Sequence, residues 1–185
     1  MDLVLASQSP RRSELLRNAG FSFTVRVKPV EEVRAVGESP RHYAIRLARA
    51  KAEAAWKNAD EVVLGADTIV VLGEKVFEKP ATTGEAQAML TELSGREHTV
   101  ITGICLRHRD GEIADCESTR VHFVPLDRDE IQSYAQSGEP MDKAGAYAIQ
   151  GLASKFVDRI EGCYFNVMGL PVARVYRHLK ALRAI

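Results

Sequence analysis

The chain has 185 residues, 45% hydrophobic and 27% charged, enough for one domain or for two small lobes sharing a core. Its 25 Lys and Arg balance 25 Asp and Glu, so no overall field draws nucleic acid or an acidic membrane surface, and any anion site must come from local clustering. No apolar run approaches the roughly 18 residues of a bilayer span, and the start, MDLVLAS, lacks the basic segment of a signal peptide.

Leu3 to Ala6 reads as a short apolar strand, followed by a helix from Ser9 to Ala19 with Leu15, Leu16 and Ala19 inward and Gly20 closing it. Ser7 and Ser9 are placed to cap its amides and Pro10 suits a first helical turn. With Arg11 and Arg12 beside those amides, the junction is either a phosphate site or a capped surface helix with two solvated arginines. Phe21, Phe23, Val25 and Val27 alternate with polar residues, predicting a half-buried strand. A polar loop from Lys28 to Glu38 holds Glu31 and Glu32, and Ser39-Pro40 opens a helix to about Lys57 with Tyr43, Ala44, Leu47, Ala48 and Lys51 near one face.

Val62 to Leu72 is strand-like, with an interruption expected at Gly65-Ala66-Asp67, and a turn at 73–75 leads into Val76-Phe77-Glu78. A helix is predicted over Thr83–Leu93 with Ala86, Met89, Leu90 and Leu93 inward. His98–Arg107 and Ile113–Phe123 form a hairpin about Asp110-Gly111, and that hairpin would seed a second lobe beside a cleft. Asp127 and Glu130 spell a capping box for a helix bearing Ile131 and Tyr134. Gly138 to Gly151 is too irregular for one strand or helix, and Val172, Val175, Tyr176, Leu179 and Leu182 mark a C-terminal helix. Interleaved helices and hairpins together predict an α/β fold with a mixed central sheet flanked by helices.

Asp67, inside the run VVLGADTIVVL, is either a bulge aspartate beside Gly65 or a general base or metal ligand at a strand mouth, since an unpaired buried carboxylate is costly. Lys79 is held extended by Pro80. Lys51 within LARAKAEAA reads first as a solvated helical lysine, and Lys143 lies in a glycine-bearing loop where backbone amides can approach a ligand. There is no P-loop, GxGxxG, HExxH or GxSxG, the five histidines show no ligand spacing, and 6% aromatics make a base-stacking platform improbable. Cys105, Cys116 and Cys163 form no CxxC pair; Cys105 and Cys116 are placed to meet across the hairpin, but reduced thiols in a cytoplasmic protein are the expectation. The remaining inventory suits a small polyphosphate with a hard divalent cation.

LASQSPRRSELL, GADTIVV, EKP, LSGREHTVITG, GEPMDKAGAYAIQG and IEGCYFNVMGLP, in this order and spacing, resemble the Maf family of nucleoside triphosphate pyrophosphatases over nearly the whole chain. The resemblance implies a single Maf-type domain over 1–185, two lobes about a central cleft and a fold similar to the inosine-triphosphate pyrophosphatases. It also implies hydrolysis between the α- and β-phosphates with Mg, Mn or Co, no nucleic-acid or membrane partner, and room for a homodimer. Asp67 then matches the catalytic proton acceptor, while Arg11, Thr68 and Gln150 match specificity positions. Arg12, Lys51 and Lys79 match basic positions of the active cleft, Glu32 matches an acidic one that with Asp67 would hold the metal, and Ser7 and Lys143 join the substrate set. DKAGAYAIQG is similar to the branch acting on dTTP and UTP, whose base edge an amide such as Gln150 can match; the branch acting on 7-methyl-GTP differs in this segment. The family's association with septum formation leaves a second expectation, a nucleotide-binding regulator of division without turnover.

Overall fold

In the computed structural model, which describes residues 1–184, the chain runs β1 (Asp2–Leu5), α1 (Pro10–Asn18), β2 (Thr24–Val25), α2 (Pro40–Ala55), β3 (Glu61–Leu72), β4 (Lys75–Phe77), α3 (Thr83–Leu93), β5 (Glu97–His108), β6 (Gly111–Phe123), α4 (Arg128–Gln136), β7 (Val157–Glu161), α5 (Tyr164–Val167) and α6 (Val172–Ala181). The strands form one mixed sheet in the order β2-β1-β3-β5-β6-β7, with β4 also paired to β3. β1 pairs in parallel with both β2 and β3, whereas β3–β4 and β6–β7 are antiparallel. Two compact units share this chain: residues 1–68, 102–117 and 169–185 in the first, and residues 69–101 and 118–168 in the second.

The first unit is built on α2. Its Ser39 hydroxyl accepts from the His42 amide, and Pro40 begins the first turn, as the sequence predicts. Ala48, Ala52 and Ala55 then form a small-residue seam packed with Val4, Ala6, Val63 and Cys105. Gly65 of β3 and Gly103 of β5 complete the fit: a Cβ on Gly65 would lie 2.1 Å from the Ala48 carbonyl oxygen, and one on Gly103 would lie 2.3 Å from that of Ala44. Helix backbone therefore rests directly on sheet backbone, and this contact carries Lys51 to β3. Gly65→Ala forces two backbones apart and is expected to cost about 1–3 kcal/mol or more. A thermal melt should show Tm falling by about 2–4 °C for each kcal/mol; an unchanged Tm would refute this packing.

In the second unit, α3 and α4 pack against Phe77, Val121, Phe123, Tyr147 and Phe156. The Asp127–Glu130 capping box of α4 is present with both of its bonds. His98 is buried, its Nε2 2.9 Å from the Tyr147 hydroxyl, and burial pushes its pKa down to about 4, so it is a neutral core residue.

Several elements differ from the sequence prediction. β3 is continuous through Gly65-Ala66-Asp67, where the glycine serves helix contact. The strand predicted over 21–27 shrinks to Thr24–Val25, with Val25 51% exposed. Ala19 and Tyr176 face solvent. The Ser9 side chain makes no cap; Ser7 Oγ accepts the Ser9 amide at 3.2 Å. Cys105, Cys116 and Cys163 are free thiols. No helix among the described residues is long and apolar enough to cross a membrane.

Candidate active site

Asp67 lies in the middle of β3 and is 7% exposed. Burial holds its carboxyl above the usual carboxylate range, against the opposing pull of Lys51 and Arg12. Lys51, on the fourth turn of α2, donates to Asp67 Oδ1 at 2.6 Å and contacts Glu32 Oε1 at 2.7 Å. The solvated-lysine reading is thereby corrected: the Lys51 side chain is 15% exposed because the alanine–glycine seam brings it against the sheet. Glu32 is exposed, but its main chain is fixed by the Tyr43 hydroxyl, which donates to the Glu32 carbonyl at 3.0 Å. One ammonium thus bridges two carboxylates from separate segments.

Arg12 is not a solvated arginine either. It is 8% exposed, and its guanidinium donates to the Gly169 carbonyl (2.8 Å), Ser7 Oγ (2.9 Å), the Ala66 carbonyl (2.9 Å) and Thr68 Oγ1 (3.0 Å). Thr68 Oγ1 also lies 2.9 Å from Thr102 Oγ1 and 3.3 Å from the Gly169 carbonyl. At least four of the five guanidinium N–H groups are therefore engaged with protein. Burial lowers the Arg12 pKa, Asp67 opposes that shift, and half-buried Arg11 adds to it, which places both charges within electrostatic reach of Arg12. Ser7, Arg11, Arg12, Glu32, Lys51, Asp67 and Thr68 form one polar group in the first unit. Sequence reasoning missed Thr102 and Gly169, the latter inside the MGLP block.

The remaining candidates belong to the second unit. Lys79 is exposed and follows Glu78, whose carbonyl accepts the Gly145 amide at 3.1 Å. Lys143 Nζ donates to the Glu139 carbonyl and to Asp142 Oδ1. Gln150 is exposed on a turn that follows five buried residues, 145–149. A further cluster eluded sequence spacing because three strands contribute to it: His122 Nε2 lies 3.0 Å from Glu97 Oε2 and 3.2 Å from Glu161 Oε1. Arg120 contacts both glutamates and Arg159 lies 3.8 Å from Glu161, so this surface group is an ion-pair network already charge-compensated.

The Maf-like protein family matches residues 2–182. The chain belongs to that family. It is 54% identical over 181 residues to the dTTP/UTP pyrophosphatase of Koribacter versatilis (strain Ellin345), covering 97% of this chain and 94% of that protein. It is 51% identical over 172 residues to the dTTP/UTP pyrophosphatase of Vibrio cholerae serotype O1, covering 92% of each. A HAM1 protein from Coxiella burnetii shares the fold at a TM-score of 0.52 and 18% identity, covering 98% of this chain and 99% of that one. In this Maf-like chain the GADT block supplies the buried Asp67 and SPRR supplies Arg12, its electrostatic partner.

Proposed function

We propose that this protein is a nucleoside triphosphate pyrophosphatase acting on dTTP and UTP, releasing the nucleoside monophosphate and pyrophosphate. The observation that carries the reading is the buried Asp67 carboxylate, held by Lys51 beside Glu32 and within the field of Arg12. Relatives about half identical over more than nine-tenths of the chain bear the same activity in their names.

In this reading a water attacks the α-phosphorus and the α–β anhydride breaks. Asp67 accepts the water's proton, a task suited to a carboxyl whose pKa burial has raised. Lys51 and Arg11, with the charge of Arg12 behind them, meet charge developing on the phosphate oxygens. Thr68 acts through its bond to Arg12. Ser7 orients the same guanidinium. Lys79, Lys143 and Gln150 are proposed to serve the same nucleotide on the strength of their positions in the family blocks, Gln150 at the base edge.

Two carboxylates gripping one ammonium fit a divalent cation, because magnesium takes one or two carboxylates and completes its shell with phosphate and water. Asp67 and Glu32 would hold it, and Mg, Mn or Co would supply positive charge to the phosphate oxygens. Lys51 then occupies the cation's place when the site is unloaded. Lys51→Met should tighten Mn binding, read by calorimetry, while slowing turnover; weaker binding would show that Lys51 does not compete. We further propose that all 185 residues act as one functional domain. The free thiols suit a reducing cytoplasm, and a homodimer is compatible with this activity.

The deciding experiment measures pyrophosphate release from each natural nucleoside triphosphate with Mg, Mn and Co. Preferential turnover of dTTP and UTP is expected. Binding without pyrophosphate release would overturn the reading in favour of a regulator.

A further inference from the structure

We propose that Tyr134 and Glu139 are positioning residues that fix Gln150 and thereby set base selectivity; this rests on the base-reading role given above to Gln150. Tyr134, on α4, is 4% exposed, its ring edge-on to Phe156 at 5.3 Å. Its hydroxyl does not serve that apolar packing. It donates to Glu139 Oε1 at 2.8 Å and accepts the Ala148 amide at 3.2 Å. The other Glu139 oxygen, Oε2, accepts the Leu152 amide at 3.1 Å. One tyrosine–glutamate pair therefore holds the main chain two residues before Gln150 and two residues after it. Between those anchors the Gly151 amide donates to the Ala148 carbonyl at 3.0 Å, closing the turn.

The fit is tight enough to constrain sequence. A Cβ at Gly151 would lie 2.3 and 2.5 Å from the two Glu139 carboxylate oxygens. Glu139 is itself anchored, its amide donating to Ser137 Oγ at 3.2 Å and its carbonyl accepting from Lys143 Nζ. Lys143 thus acts on the Gln150 turn through Glu139. A hydroxyl and a carboxylate that satisfy main-chain amides around an exposed glutamine hold that side chain at a defined origin, as selective recognition of one base edge requires.

The test compares kcat/KM for dTTP, UTP and a purine set (ATP, GTP, ITP) among wild type, Gln150→Ala, Tyr134→Phe, Glu139→Gln and the Tyr134→Phe/Gln150→Ala double variant, with thermal melts on each. Tyr134→Phe removes one acceptor from the turn and should lower pyrimidine kcat/KM by about tenfold, with a much smaller loss for purines. Glu139→Gln, which keeps one acceptor oxygen, should show a smaller loss of the same selectivity. The double variant should match Gln150→Ala alone, because both act on one contact. Equal losses for every base, or losses that multiply in the double variant, would overturn the proposal. If Tyr134→Phe fails to fold, Glu139→Gln carries the same comparison, and unchanged selectivity in Glu139→Gln overturns it. Selectivity lost in Gln150→Ala but intact in both neighbours sinks this inference alone; selectivity intact in Gln150→Ala sinks the base-reading role beneath it.

Discussion

Asp67→Asn is expected to abolish most pyrophosphate release, by about 100- to 10,000-fold, while leaving the fold intact. The amide keeps the shape of the carboxylate and loses its capacity to accept a proton or to hold a cation strongly. The stability side has a definite sign. Burial raises the carboxyl's pKa, so the folded protein favours the protonated form and ionised Asp67 opposes folding at neutral pH. Removing that charge relieves the opposition, and Lys51 retains Glu32 as a partner. Tm should therefore hold or rise as activity disappears. In the wild type, turnover should fall on acidification at a pH above the ordinary aspartate range, as Asp67 takes up its proton. Near-normal rates in the variant would remove Asp67 from the chemistry.

Arg12→Met should show the opposite balance, a large loss of stability. The side chain would leave the Ser7 hydroxyl, the Ala66 and Gly169 carbonyls and the Thr68 hydroxyl without their shared donor. Stranding buried acceptors costs about 1–3 kcal/mol each when no other partner is found, and partial relaxation suggests a total near 3 kcal/mol or more. For a chain of this size that is a Tm drop on the order of 10 °C. Arg12→Lys discriminates between roles. It restores the charge but cannot span four acceptors, so it should remain destabilised. A lysine variant with wild-type Tm would refute this structural role and leave Arg12 with its charge toward the phosphates alone.

Local features were the legible ones. The Asp127–Glu130 box, the Ser39 cap and the two-residue turn between β5 and β6 are each set by residues a few positions apart, and all three form. β2 was overestimated because alternation in Phe21–Val27 says nothing of whether a partner strand covers both faces, and β7 escaped because its residues are mostly exposed. In the site, Asp67 was legible as a charge in an apolar run, whereas its grip by Lys51 depends on how α2 seats on β3. That seating is written in Gly65 and Gly103, whose role as contact points only three dimensions reveal. Tyr134 read as ordinary core because periodicity reports which way a ring faces and not what its hydroxyl binds.

Three of the four places where the chain passes from one unit to the other lie next to Thr68, Thr102 and Gly169. Arg12 bonds the first and third of these, and Thr68 lies against the second. Arg12 and Thr68 together therefore button these three crossover points of the polypeptide. They should not fray one by one: amide exchange there is expected to rise as a single cooperative event, with Arg12 its fastening.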